Sequence, residues 1–115
     1  MTEKAVVFTP DDTIRVVEFE LDNAYDFLSS TVGGYIEAVA LADEITGFVN
    51  EEGKLQSPPL PPNGLASIVA RLNGGIELQG DYIAGNMVVV GVNDEGDTVG
   101  LSDELIEQML MILAD

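Results

Sequence analysis

The chain has 115 residues, 21 of them acidic and four basic, with a formal net charge of −17 at pH 7, a field that repels nucleic-acid phosphates and argues against direct DNA or RNA binding. It contains no histidine and no cysteine, which closes imidazole catalysis, serine-hydrolase triads, histidine metal sites, disulfides and thiolate chemistry together. The composition is nevertheless 46% hydrophobic with a positive mean hydropathy, so it lies outside the polar, highly charged range that marks disordered chains.

Residues 5–8 (AVVF) and Ile14 to Glu20 read as two strands joined by the turn residues Thr9-Pro10-Asp11-Asp12. Leu21, Ala24, Tyr25, Leu28 and Val32 recur at helical spacing, which predicts a first helix over about 23–32, with Asp22 at its start and Gly33-Gly34 at its end. Tyr35 to Leu41 and Ile45 to Val49 read as strands of a hairpin or meander, with Asn50-Glu51-Glu52-Gly53 as the turn that follows.

The stretch Ser57-Pro58-Pro59-Leu60-Pro61-Pro62 is extended by its prolines and reads as a stiff connector, although its PxxP spacing is also that of a polyproline ligand. Asn63 then caps a short helix carrying Leu65, Ile68, Val69 and Leu72, which stops at Asn73-Gly74-Gly75. Ile76 to Leu78 and Tyr82 to Ala84 are short strand candidates, and Met87 to Val92 (MVVVGV) is a central strand buried on both faces. After a turn at Asn93 to Gly96, Ser102 caps a last helix with Leu105, Ile106, Met109, Leu110 and Leu113 in one apolar stripe. These elements predict one α+β domain over 1–115, with a mainly antiparallel sheet and about three helices on at least one of its faces.

The acids are not spread evenly. Residues 1–54 carry a net −9, residues 55–80 are neutral and residues 81–115 carry −8. Paired carboxylates such as Asp22 and Asp26 share a helix face at i, i+4, but in so acidic a chain such pairs arise freely and read as a solvated face. Asn93, Glu95, Asp97 and Glu104 fall at positions 1, 3, 5 and 12 of a calcium loop, yet Thr98 stands where that loop needs glycine, so a turn before a capped helix is the reading. Gly33-Gly34 and Gly74-Gly75 lack the spacing of phosphate loops. No catalytic residue, metal ligand or cofactor is expected.

Four segments, Val32-Gly33-Gly34-Tyr35-Ile36-Glu37, Phe48 to Leu55 (FVNEEGKL), Pro62-Asn63 and Ile83 to Gly91 (IAGNMVVVG), together resemble a family of small domains of unknown function encoded mostly by bacteriophages, plasmids and actinobacterial genomes. The resemblance spans about residues 14–92 and implies a compact α+β domain in a phage or mobile-element context. It carries over no catalytic residue. The same motifs also read as fold punctuation: glycines before strands, a turn and a helix cap. If they hold a site, the Asn50 to Lys54 turn and the Pro58 to Asn63 loop are where it is expected.

The functional expectation is a non-enzymatic interaction protein whose acids, among them Asp22, Asp26, Glu51, Glu52, Asp103, Glu104 and Glu107, occupy a basic surface of a host or defence protein, itself a candidate nucleic-acid-binding protein, as an inhibitor or nucleic-acid mimic does. The alternative is a small-molecule binding domain with a pocket lined by Tyr25, Tyr35 or Tyr82. With no run near the roughly 18 apolar residues of a membrane span and no signal-peptide layout, the expected location is the cytoplasm, without membrane contact. The last helix holds more apolar residues than one buried stripe needs, so Met111 or Ile112 is expected to meet a second subunit of a homodimer.

Overall fold

Alternation of apolar side chains first builds a hairpin. Strand β1 (Thr2–Phe8) pairs antiparallel with β2 (Ile14–Glu20) in continuous register from Thr2 opposite Glu20 to Phe8 opposite Ile14. The connecting turn is held by the Thr9 N–H donating to Thr13 O (3.0 Å) and by Asp11, whose Oδ1 accepts from the Thr13 N–H (3.2 Å) and the Thr9 hydroxyl. Asp12 takes the left-handed conformation (φ 66°) that closes it, one that Asp tolerates better than most residues. The computed structural model describes residues 2–42, 44–72 and 82–113, and of residues 71, 72, 112 and 113 the backbone alone. The expected helix stop at Asn73-Gly74-Gly75 and the strand candidate Ile76 to Leu78 lie outside the described residues, as do the side chains of Ile112 and Leu113.

Strand β2 feeds a 3-10 turn (Leu21–Asn23) that runs straight into helix α1 (Ala24–Val32). Asp22 does not cap this helix, contrary to expectation: Asn23 stands at the N-cap without a side-chain bond, and the Ala24 N–H is met instead by Leu21 O from the 3-10 turn. A continuing turn supplies backbone acceptors where a free helix end needs a side chain. The C-terminal end is as expected, with Gly33 left-handed (φ 83°) and its N–H on Ser29 O at 2.8 Å.

Strands β3 (Ile36–Ala42) and β4 (Ile45–Asn50) form a second antiparallel hairpin, and helix α2 (Gly64–Leu72) follows the proline-rich connector. Strand β5 (Met87–Val92) is the hub. It pairs antiparallel with β1 through Val6 opposite Val89 and with β4 through Gly47 opposite Val89, giving the order β2-β1-β5-β4-β3. Val88, Val89 and Val90 are fully buried, as a strand covered on both faces requires.

A two-residue strand β6 (Thr98–Val99), not expected from the sequence, pairs with Gly91 and Val92 beyond the point where β1 leaves β5. Two residues are too few for alternation to register, and close contact identifies it instead: a Cβ on Gly91 would stand 2.8 Å from Gly100 O. Helix α3 (Asp103–Leu113) then begins at Ser102, whose hydroxyl accepts from the Leu105 N–H at 3.1 Å.

Helices cover both faces of the sheet. On one face α1 places Leu28 and Val32 against Ala5, Val7, Phe19, Val88 and Val90, and Phe19 stacks on Phe27 with ring centroids 4.8 Å apart. On the other, Ala66, Val69 and Ala70 of α2 and Ile106 of α3 join Val6, Phe8, Val39, Leu41, Val49, Met87 and Val89. The α+β expectation holds, with six strands, all paired antiparallel, and three α-helices among the described residues.

Tyr82 to Ala84 is not a regular strand. Ala84 makes one isolated bridge with Pro62, flanked by Asn63 N–H to Ile83 O and Gly85 N–H to Pro61 O, both 2.8 Å. Pro61 and Pro62 lack the N–H groups that a continuous ladder needs.

Candidate interaction surface and cleft

The physical problem posed by the charge is where the folded chain keeps it. Every described Asp and Glu is exposed except Glu3, which is half-buried and accepts from the Gly100 N–H at 3.2 Å. Asp22 and Asp26 lie at the start of α1 on one face of the sheet, whereas Asp103, Glu104 and Glu107 lie on α3 across the other. Glu51 and Glu52 stand in the turn after β4. The fold therefore divides the named acids into three groups and wraps the negative field around the molecule.

Among these, Asp103 forms an exposed ion pair with Lys4. Its Oδ1 accepts from Lys4 Nζ at 2.7 Å, and this hydrogen bond with the accompanying attraction raises the lysine's pKa above its ordinary value. Glu18 lies directly across the strands from Lys4 and adds to the same effect. For the surface as a whole repulsion dominates, which leads to a testable result. The melting temperature is expected to rise as NaCl is increased from about 20 mM to about 0.5 M, because screening weakens repulsion among seventeen excess charges more than it weakens a few pairs. A melting temperature that falls over that range would show that attractive pairs control the surface.

Asp11 gives a pH-dependent result with a defined sign. The Thr9 and Thr13 side-chain contacts lower its pKa from the ordinary value, so its carboxylate stabilises the turn above the ordinary range and that contribution is lost as the pH falls through the folded-state pKa. The melting temperature of Asp11→Ala should lie below that of the parent at pH 7, and the two curves should converge as the pH falls through the lowered folded-state pKa of Asp11. Curves that remain parallel would assign the difference to something other than the charge.

The turn after β4 builds a concave site. Asn50, 7% exposed, donates from Nδ2 to Val32 O at the end of α1 (3.2 Å) and accepts at Oδ1 from the Glu52 N–H (2.8 Å). The Glu51 N–H donates to Tyr35 O at 2.8 Å. These bonds hold the turn beside the start of β3, next to a cleft of about 300 Å³. Val39, Val49, Ile83 and Ala84 form its apolar part, and Glu37, Glu51, Lys54, Leu55 and Tyr82 stand around it. Lys54 Nζ lies 4.9 Å from the centre of the Tyr82 ring, a cation–π contact.

Of the two expected site segments, the Asn50 to Lys54 turn lines the cleft and the Pro58 to Asn63 loop does not. That loop is tied down instead: Leu60 N–H donates to Gly53 O (2.8 Å), and Leu60 packs on Gly85, where an added Cβ would meet its Cδ1 at 2.8 Å. It acts as the stiff connector. Tyr82 lines the cleft as proposed for a pocket, whereas Tyr25 and Tyr35 are 55% and 67% exposed and do not. Glu37 was not singled out as a binding residue. Its signal was available in the alternation of β3, which sends Glu37 and Val39 to the same side.

The calcium-like loop has a structural explanation. Asn93 Oδ1 accepts from the N–H groups of Glu95 (3.0 Å) and Asp97 (2.9 Å), which closes the turn between β5 and β6. Among the described residues no group of three or more Asp or Glu is arranged to hold a metal ion, and no helix is long and apolar enough to cross a membrane. Met111 on α3 is 73% exposed.

The motif residues meet at two buried asparagines, Asn50 and Asn63, on a six-stranded sheet between helices. A family model described as a domain of unknown function (DUF3846) matches residues 1–114. The chain belongs to this family. No curated protein and no solved structure matches it. The family match extends the resemblance seen at residues 14–92 across both β1 and α3, the elements that flank the central strand and close the second face.

Proposed function

We propose that this domain is a non-enzymatic interaction protein that uses its acidic surface to occupy a basic surface of another protein, as an inhibitor or nucleic-acid mimic. The observation that carries this reading is the exposure of every described acid but Glu3, with the acids of α1 and α3 on opposite faces of the sheet. Such a field accelerates encounter with a basic partner and repels acidic competitors. A phage or mobile-element origin, action in the host cytosol and a nucleic-acid-binding partner belong to the same proposal.

The test is affinity capture from a host-cell extract at low and moderate salt. One basic protein should be retained, released by salt, and lost from a variant in which Asp22, Asp26, Asp103, Glu104 and Glu107 are changed to their amides. Capture of no basic protein at low salt would overturn the proposal. The cleft favours a second reading, a small-molecule binding domain without enzymatic activity, since its volume is at the lower end for small-ligand sites. A ligand carried through purification and seen by native mass spectrometry would support that reading.

A further inference from the structure

We infer that the cleft beside β3 and β4 is an anchor for one arginine side chain presented by the basic partner; this rests on the reading of the domain as a protein that docks on a basic surface. Three features point to that occupant. Val39, Val49, Ile83 and Ala84 offer an apolar wall for a methylene stem. Glu37 and Glu51 both line the cleft, and carboxylates are the acceptors that a guanidinium's fork of donors takes. The Tyr82 face already receives the cationic head of Lys54, so this corner attracts a cation against an aromatic ring.

Of the two long basic side chains, arginine is favoured by its flat, weakly hydrated head, which stacks on an aromatic ring and satisfies two carboxylates in one plane. An anionic occupant is disfavoured by the two glutamates and by the net charge of −17. Lys54 then competes with the incoming guanidinium for the Tyr82 ring. Its removal should favour binding.

The experiment is an NMR titration of the intact protein with N-acetyl-arginine methylamide, with N-acetyl-norleucine methylamide as the neutral comparison. The arginine probe should give saturable shifts in the methyl groups of Val39, Val49, Ile83 and Ala84, and the norleucine probe none that saturate. Binding should weaken about five- to tenfold in the Glu37→Gln/Glu51→Gln variant, remain unchanged in Asp94→Asn/Glu95→Gln, an exposed acidic pair in the β5–β6 turn outside the cleft, and tighten in Lys54→Met. The amide spectrum of each variant checks that it is folded.

Shifts scattered over all acids without saturation, equal binding of the norleucine probe, or unchanged binding in the double glutamine variant would overturn the inference. Weaker binding in Lys54→Met would also overturn it. Failure here is distinguishable from failure of the docking proposal. If Glu37→Gln/Glu51→Gln still captures the basic partner with unaltered salt dependence, the anchor is wrong and docking stands. If the probe saturates the cleft but no basic partner is captured, docking is wrong.

Discussion

Replacing Asn63 with alanine is expected to lower the unfolding free energy by about 4 kcal/mol, a large part of the roughly 5–15 kcal/mol that holds a domain of this kind. Asn63 is fully buried and its amide bonds three ways. Nδ2 donates to Phe8 O at the end of β1 and to Gly85 O before β5, both at 2.9 Å, and Oδ1 accepts from the Ala66 N–H at 3.1 Å in the first turn of α2. Alanine withdraws donors from two buried carbonyls, each costing about 1–2 kcal/mol, and removes a helix cap worth about 1 kcal/mol.

The backbone of Asn63 is tied into the same junction. Its carbonyl accepts from the Ser67 hydroxyl (2.7 Å), and that hydroxyl accepts in turn from the Ile83 N–H (2.8 Å). Asn63→Asp separates the contributions, because aspartate keeps the cap acceptor but cannot donate to Phe8 and Gly85. Urea denaturation of the three proteins measures the order: parent most stable, then both variants far below. A loss of about 1 kcal/mol or less for Asn63→Ala would reduce the residue to an ordinary cap.

Met87→Ala is expected to cost about 3 kcal/mol, and the cost should depend on Gly47. Met87 is fully buried on the α2 and α3 face, and its side chain lies over the place where Gly47 of β4 has no Cβ: an added one would stand 2.9 Å from Met87 Sδ and 3.2 Å from its Cγ. Gly47→Ala alone forces the methionine aside and should cost about 1–3 kcal/mol. In the double variant the new methyl enters the space that the methionine vacates. The combined loss should fall short of the sum of the single losses by about 1 kcal/mol or more. Losses additive within about 0.5 kcal/mol would show that the two positions do not share a space.

Both predictions bear on what the motif residues do. Asn50 joins the turn after β4 to the end of α1, Asn63 joins α2 to β1 and β5, and Gly85 takes a positive φ of 78° beneath Leu60. Asn86 adds a fourth tie, from Nδ2 to Thr31 O at 2.9 Å. These bonds give the motifs an architectural role. The cleft is formed by the same turn and so is positioned by them.

Much of the fold was legible because local chemistry and tertiary structure agree. The positive-φ glycine after α1, the Asn63 and Ser102 caps, the β1–β2 turn and the wholly apolar β5 are each set by one residue type whose backbone or hydrogen-bonding preference has a single good outcome. The net charge of −17 and the exclusion of histidine and cysteine chemistry are likewise properties of composition alone. Other features depend on neighbours remote in the chain. Glu37 and Tyr82 meet at a cleft because β3 and the segment before β5 are brought together, and β6 exists because Gly91 allows Gly100 to approach. The acids of α1 and α3 look alike in sequence, but the sheet places them on opposite faces, since each helix must bury its own apolar stripe against a separate side of β5.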